Sequence, residues 1–157
     1  MKIFPGLFLL STASLCLSLQ CSAQNTTENK ASKFTPLVVK TYLGRNSTGD
    51  SITSKEADTL ITFPLRVIDK KNNSYTIASY GFIYKRKGYV QDENTGLYNV
   101  TFTTVADRFK STPLPKIWID NMKGNFQPGE ELHFFDIIAK DKSNHLFFAP
   151  DLVITLK

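Results

Sequence analysis

The chain has 157 residues, 41% of them hydrophobic, 12% aromatic and 21% charged, with a formal net charge of +5. That is one domain's length and a folded protein's composition, which excludes a multi-domain assembly, an acidic disordered tail and a disulfide-stapled miniprotein. The positive charge is too small and too scattered to point to nucleic acid.

Met1 and Lys2 give a short positive start, Ile3 to Leu19 is an apolar run, and Cys21-Ser22-Ala23 places small residues where a signal peptidase reads. This is the layout of a secretory signal peptide over residues 1–23. A spanning anchor is the competing reading, although a membrane helix wants about 20 apolar residues. Lipidation at Cys21 is a third, with Leu19-Gln20 a poor match because a small residue is wanted before that cysteine. Cleavage after Ala23 would remove Cys16 and Cys21, the only cysteines. The exported protein would then rest on its core rather than on disulfides.

Residues 24–35 open with the polar stretch QNTTENKAS and read as a flexible tether to a domain over 36–157. From there the apolar residues come in short bursts at period two, which is the strand signal. The first runs from Leu37 to Leu43, followed by a turn-rich break from Gly44 to Ser51. The second runs from Leu60 to Ile68, where Pro64 marks an edge or a bulge because it cannot donate to a ladder. Asp69 to Asn73 is a turn.

Ser74 to Lys85 is the strongest strand. Strict alternation puts Tyr75, Ile77, Ser79, Gly81 and Ile83 on one face and Thr76, Ala78, Tyr80, Phe82 and Tyr84 on the other. Aromatics on both faces predict that one is only partly covered. Arg86-Lys87-Gly88 reads as a turn, and a further strand follows Gly96 through Tyr98, Val100, Phe102 and Thr104.

Pro113 and Pro115 precede a short helix predicted near 116–122, with Ile117, Trp118 and Met122 as its apolar side and Gly124 beyond its end. Gln127 to Glu130 is a turn, Leu132 to Ala139 a strand, Asp141 to Asn144 a turn, and Leu146 to Leu156 the last strand. The whole predicts an all-β protein, an antiparallel β-sandwich with one short helix.

No catalytic constellation is legible. The chain has no G-x-S-x-G elbow and no H-E-x-x-H. His133 and His145 sit on either side of a turn; with Asp141 they make at most a thin metal set, so no metal and no cofactor are expected. Glu130 and Glu131 point to opposite faces of a strand and are expected to begin it in solvent. Asp136, mid-strand, must face water or find a partner. Lys70-Lys71 and Lys85-Arg86-Lys87 read as solvated hairpin tips. Sequons at Asn25, Asn46, Asn72 and Asn99 leave glycosylation open.

The stretches Arg86-Lys87-Gly88, Pro128 to Asp141 and Ala149 to Lys157 resemble the C-terminal domains of the gliding-motility family of GldM and PorM. There a glycine-acid turn opens an F-x-[DN]-I-x-A-K-like strand, a short turn follows, and a P-x-x-[IV]-x-[IV] strand closes. The resemblance spans roughly Leu60 to Lys157 and rests on strand patterns rather than catalytic signatures. It implies immunoglobulin-like β-sandwich domains in the periplasm of Bacteroidetes-type bacteria and a non-enzymatic role in coupling a motor to a secretion ring. With a signal peptide and no helical stalk, this chain is not expected to be the motor subunit.

Two functions follow as expectations. The first is a non-catalytic interaction module, exported to the periplasm or cell envelope or secreted. It would bind an envelope protein or itself through a sheet edge or an aromatic face around Tyr80, Phe82, Tyr84, Trp118 and Phe135, and would touch membrane only if lipidated at Cys21. The second is a glycan or small-ligand module with Trp118 and nearby tyrosines as stacking platforms.

Overall fold

The computed structural model describes residues 38–157, so the signal peptide and the whole tether read from the sequence lie outside the described residues. The protein is all-β with two short helices. In chain order the elements are β1 (Val39–Leu43), β2 (Ser51–Ile52), α1 (Ser54–Leu60), β3 (Leu65–Asp69), β4 (Ser74–Gln91), β5 (Tyr98–Phe109), α2 (Lys116–Met122), β6 (Glu131–Lys140), β7 (Leu146–Ala149) and β8 (Leu152–Leu156).

The strands are linked in one eight-stranded sheet of order β1-β3-β4-β6-β8-β2, with β5 added to β4 and β7 to β6. All pairings are antiparallel except β2 with β8. The long strands β4 and β6 serve both ends of the sheet. Ser74 and Tyr75 at the start of β4 pair with β3, and Tyr80 to Gln91 pair with β5. β6 likewise takes β8 along its start and β7 along its end. The sheet curls far enough that Thr41 on β1 donates its hydroxyl to the Pro150 carbonyl between β7 and β8, at 2.6 Å.

Two bulges govern which side chains enter the core. From Ile77 to Ser79, β4 advances two residues while β6 advances one; from Ser79 to Gly81, β6 advances three against two. Each extra residue reverses the in–out phase of its strand. Tyr75 and Ile77 before the first bulge, and Tyr80, Phe82 and Tyr84 after it, therefore all address one core. On β6 the same reversal buries Leu132 and Phe134 before the bulge and Ile137 and Ala139 after it. Asp136 makes the second bulge possible with φ of 46°, a left-handed conformation that aspartate tolerates better than most residues.

The turns share a device. Asp69, Asp92 and Asp141 each accept two backbone N–H groups from the residues that follow, which fixes the turn without glycine at its first position. At Asp69 the Asn73 side chain adds to these bonds and holds the carboxyl down to about 2.

Several expectations change. The predicted strand from Leu60 to Ile68 is the last residue of α1, a turn and β3. Thr53 begins α1 with a capping box: its side chain accepts from the Glu56 N–H, and the Glu56 carboxylate accepts from the Thr53 N–H. Arg86-Lys87-Gly88 is not a turn, because β4 runs unbroken to Gln91. The last predicted strand is two, β7 and β8, parted at Pro150-Asp151. Helix α2 occupies the residues predicted, but it turns Trp118, Ile119 and Met122 to the core and leaves Ile117 exposed.

Candidate interaction surface

The aromatic face expected around Tyr80, Phe82 and Tyr84 does not exist. These rings are buried, at 0%, 0% and 5% exposure. The bulges bring them inward, where Phe82 lies 4.8 Å centroid to centroid from Phe134 and Tyr80 packs between Phe109 and Phe134. Burial pushes the Tyr80 phenol up to about 12. Trp118 is half-buried and meets Phe82 and Phe109 edge-on, so much of its ring is spent in fastening α2 to the sheet. Phe135 is half-buried on the outer side of the sheet, its ring over Gly81 and beside His133.

The exposed apolar surface lies elsewhere. β6 accompanies β4 only as far as Lys85, which pairs with Glu131. Beyond that, Arg86 to Gln91 pairs only with Tyr98 to Thr103, forming a two-stranded arm. At about 3.3 Å per residue the arm reaches roughly 20 Å past the sheet. Asp92 closes its tip, and Gly96 takes φ of 70° there.

The arm and the remainder of β5 hold seven of the twelve exposed large hydrophobic residues described: Tyr89, Val90, Leu97, Tyr98, Val100, Phe102 and Val105. By register, Tyr89, Tyr98, Val100 and Phe102 share one face, with Lys85 and Lys87 between them. Lys85 Nζ lies 4.9 Å from the Phe102 ring centre, and Lys87 Nζ lies 5.7 Å from that of Tyr89. An apolar face studded with cations over rings suits a partner with apolar and acidic groups.

A two-stranded ribbon is marginal by itself. This one is fastened at its base by Glu130, which the sequence reading placed in solvent and which is fully buried. Its Oε1 accepts the Lys87 N–H at 3.0 Å, and its Oε2 accepts the Tyr84 hydroxyl at 2.5 Å and the Gln127 N–H at 3.0 Å. Burial, then this bond to Glu130, raises the Tyr84 phenol well above its ordinary value. Gly129, at φ of 89°, turns the chain so that the carboxyl enters.

Other polar groups resolve into pairs. Asp136 binds Arg108 at 2.7 Å with both side chains about half exposed. His133 lies 3.3 Å from Asp151 and His145 lies 3.0 Å from Asp141. Among the described residues, no group of three or more His, Cys, Asp or Glu is placed to hold a metal ion, and no helix is long and apolar enough to cross a membrane. A cleft of about 360 Å³ lies between α2 and the arm's base, bordered by Tyr84, Arg86, Val105, Trp118, Asn121 and Met122.

One signal of the arm was present in the sequence. Asp92-Glu93-Asn94-Thr95-Gly96, between Tyr89-Val90-Gln91 and Leu97-Tyr98-Asn99-Val100, is a better hairpin turn than the basic triplet before it. No protein-family model, curated protein or solved structure matches this chain.

Proposed function

We propose that this chain is an exported, non-catalytic β module of the bacterial cell envelope that binds protein through its β4–β5 arm. The observation that carries the reading is the concentration of exposed aromatic and aliphatic residues on a projecting ribbon whose base is locked by a buried carboxyl. A ribbon kept apolar at its surface and rigid at its root is arranged to meet another molecule. The signal-peptide pattern and the likeness to the GldM and PorM C-terminal domains support the envelope location.

The test compares the wild-type chain with a Tyr89→Ser, Tyr98→Ser, Phe102→Ser variant as baits on envelope fractions. All three side chains are exposed, so thermal unfolding is expected to change little. A discrete partner retained by the wild type and lost by the variant is the expected result. The same set of proteins on both baits would count against the arm.

The cleft beside Trp118 supports a second reading, a small-ligand or glycan site. Trp118 is the only tryptophan, so its fluorescence reports binding there directly. A glycan panel that leaves the emission unchanged removes this reading.

A further inference from the structure

β5 borders the sheet. It pairs with β4 along its whole length and with no other strand among the described residues. Ten of its twelve residues are exposed. Natural proteins blunt such edges with Lys, Pro or bulges, because open N–H and C=O groups template pairing with another chain. The stretch Tyr98-Asn99-Val100-Thr101-Phe102-Thr103-Thr104-Val105-Ala106 has no charge, no proline and no glycine. Its register with β4 is regular throughout, so no bulge twists it away.

The turn sets which backbone groups are open. The Asp92 N–H donates to the Leu97 carbonyl, making those two residues a hydrogen-bonded pair. Antiparallel alternation then directs the backbone of Asn99, Thr101, Thr103, Val105 and Asp107 toward β4. The N–H and C=O groups of Tyr98, Val100, Phe102, Thr104 and Ala106 and the C=O of Arg108 point to the open side, the Arg108 N–H being taken by Asp107 Oδ1.

We infer that this edge pairs antiparallel with β5 of a second copy of the chain, about a twofold axis at Thr103. The inference rests on the protein-binding reading above and names a partner for it. A centre at Thr103 is the register that pairs all six outward residues. Tyr98 then lies opposite Arg108 of the second copy, Val100 opposite its Ala106 and Phe102 opposite its Thr104.

On the other face Asn99 meets Asp107 of the second copy and Thr101 meets its Val105. No like charges face each other. Of the two charged residues of each strand, Asp107 lands on an amide and Arg108, already paired with Asp136, lies opposite Tyr98. A foreign strand would not require β5 to be complementary to itself, and β5 is. Each arm's Tyr98–Thr103 edge is then covered by Thr103–Arg108 of the second copy, which adds a third strand beside the two-stranded arm and relieves its marginal stability.

The register is tested by disulfide trapping in the full chain. Thr103 would face its own copy in a non-hydrogen-bonded pair, where the Cα atoms lie about 4.5 Å apart, within disulfide range. Thr103→Cys is expected to give, on mild oxidation, a disulfide between the two position-103 peptides, found by mass spectrometry of the digest. Thr101→Cys, opposite Val105 of the second copy, is expected to give none. Sedimentation equilibrium supplies the affinity. Thr104→Pro deletes one outward N–H and no hairpin bond, and is expected to weaken self-association by about tenfold or more while circular dichroism stays unchanged.

A wild-type chain that sediments as a monomer to several hundred micromolar, with no disulfide at position 103, overturns the inference; the cysteine variants decide the matter even if Thr104→Pro misfolds. Trapping as efficient at 101 as at 103 overturns the register. A monomer that still captures an envelope protein through the arm replaces the second copy with a foreign strand and leaves the module reading standing. A dimer that captures nothing from the envelope does the reverse.

Discussion

The Tyr84 hydroxyl donates to Glu130 Oε2 at 2.5 Å in the interior of the protein, joining β4 to the turn before β6. Glu130 also accepts two backbone N–H groups, from Lys87 and Gln127, so both of its oxygens have partners. A buried carboxyl is tolerated only with such partners. The group thus couples the root of the arm to the core.

Truncating this group is therefore expected to cost more than deleting one of its donors. Tyr84→Phe removes one hydrogen bond to the carboxyl and should destabilise by about 1–3 kcal/mol. Glu130→Ala strands two backbone donors and a phenol without partners and should cost about 3–5 kcal/mol. Urea unfolding of the two variants checks the order. Equal losses would mean that the Tyr84 bond dominates the cluster.

Stability should fall in alkali. Burial raises the phenols of Tyr80 and Tyr84 above the ordinary 10.0, Tyr80 to about 12, with the bond to Glu130 adding to the effect at Tyr84. The folded state then holds protons that the unfolded chain has released, so this contribution is complete below pH 10 and declines as pH rises toward 12. Unfolding measured from pH 8 to 11 should show the decline, and Tyr80→Phe with Tyr84→Phe should flatten it. An unchanged slope in that double variant would place the titration elsewhere.

Gly81 is required by Phe135. A Cβ at Gly81 would sit 2.4 Å from the ring, inside any real contact distance. Gly81→Ala should destabilise by about 1–3 kcal/mol as the ring is displaced. Adding Phe135→Ala makes room, so the double variant should be less impaired than the two single losses together predict. Additive losses in the double-mutant cycle would show that the ring moves aside freely.

Asp136 is held in a left-handed conformation by the bulge, and its bond to Arg108 is exposed. Exposed ion pairs contribute little, about 0–1 kcal/mol, whereas a β-branched residue at positive φ is strained. Asp136→Gly should leave the melting temperature nearly unchanged, and Asp136→Val should lower it clearly. If Asp136→Gly proves as damaging as Asp136→Val, the ion pair rather than the backbone sets the requirement.

The sequence alone determined the all-β class, the turns at Asp69 and Asp141, helix α2 and the strand from Leu132 onward. Each depends on neighbours a few residues apart: period-two alternation, a polar turn cluster, a proline before a short helix. Helix α1 was also legible, in the capping box Thr53-Ser54-Lys55-Glu56, but the apolar run after Thr59 reads equally as a strand. Only the tertiary structure decided which way the aromatics face. Alternation counted through Ser74 to Lys85 puts Tyr75 and Tyr80 on opposite sides; a one-residue bulge against β6 puts both toward the core. The same holds for Glu130, whose burial depends on donors up to 46 residues away along the chain. The arm exists because β6 stops accompanying β4 at Lys85 while β5 continues. Bulges, buried polar partners and strand ends are properties of pairing between distant segments, and a single strand's sequence contains only its own half of each pair.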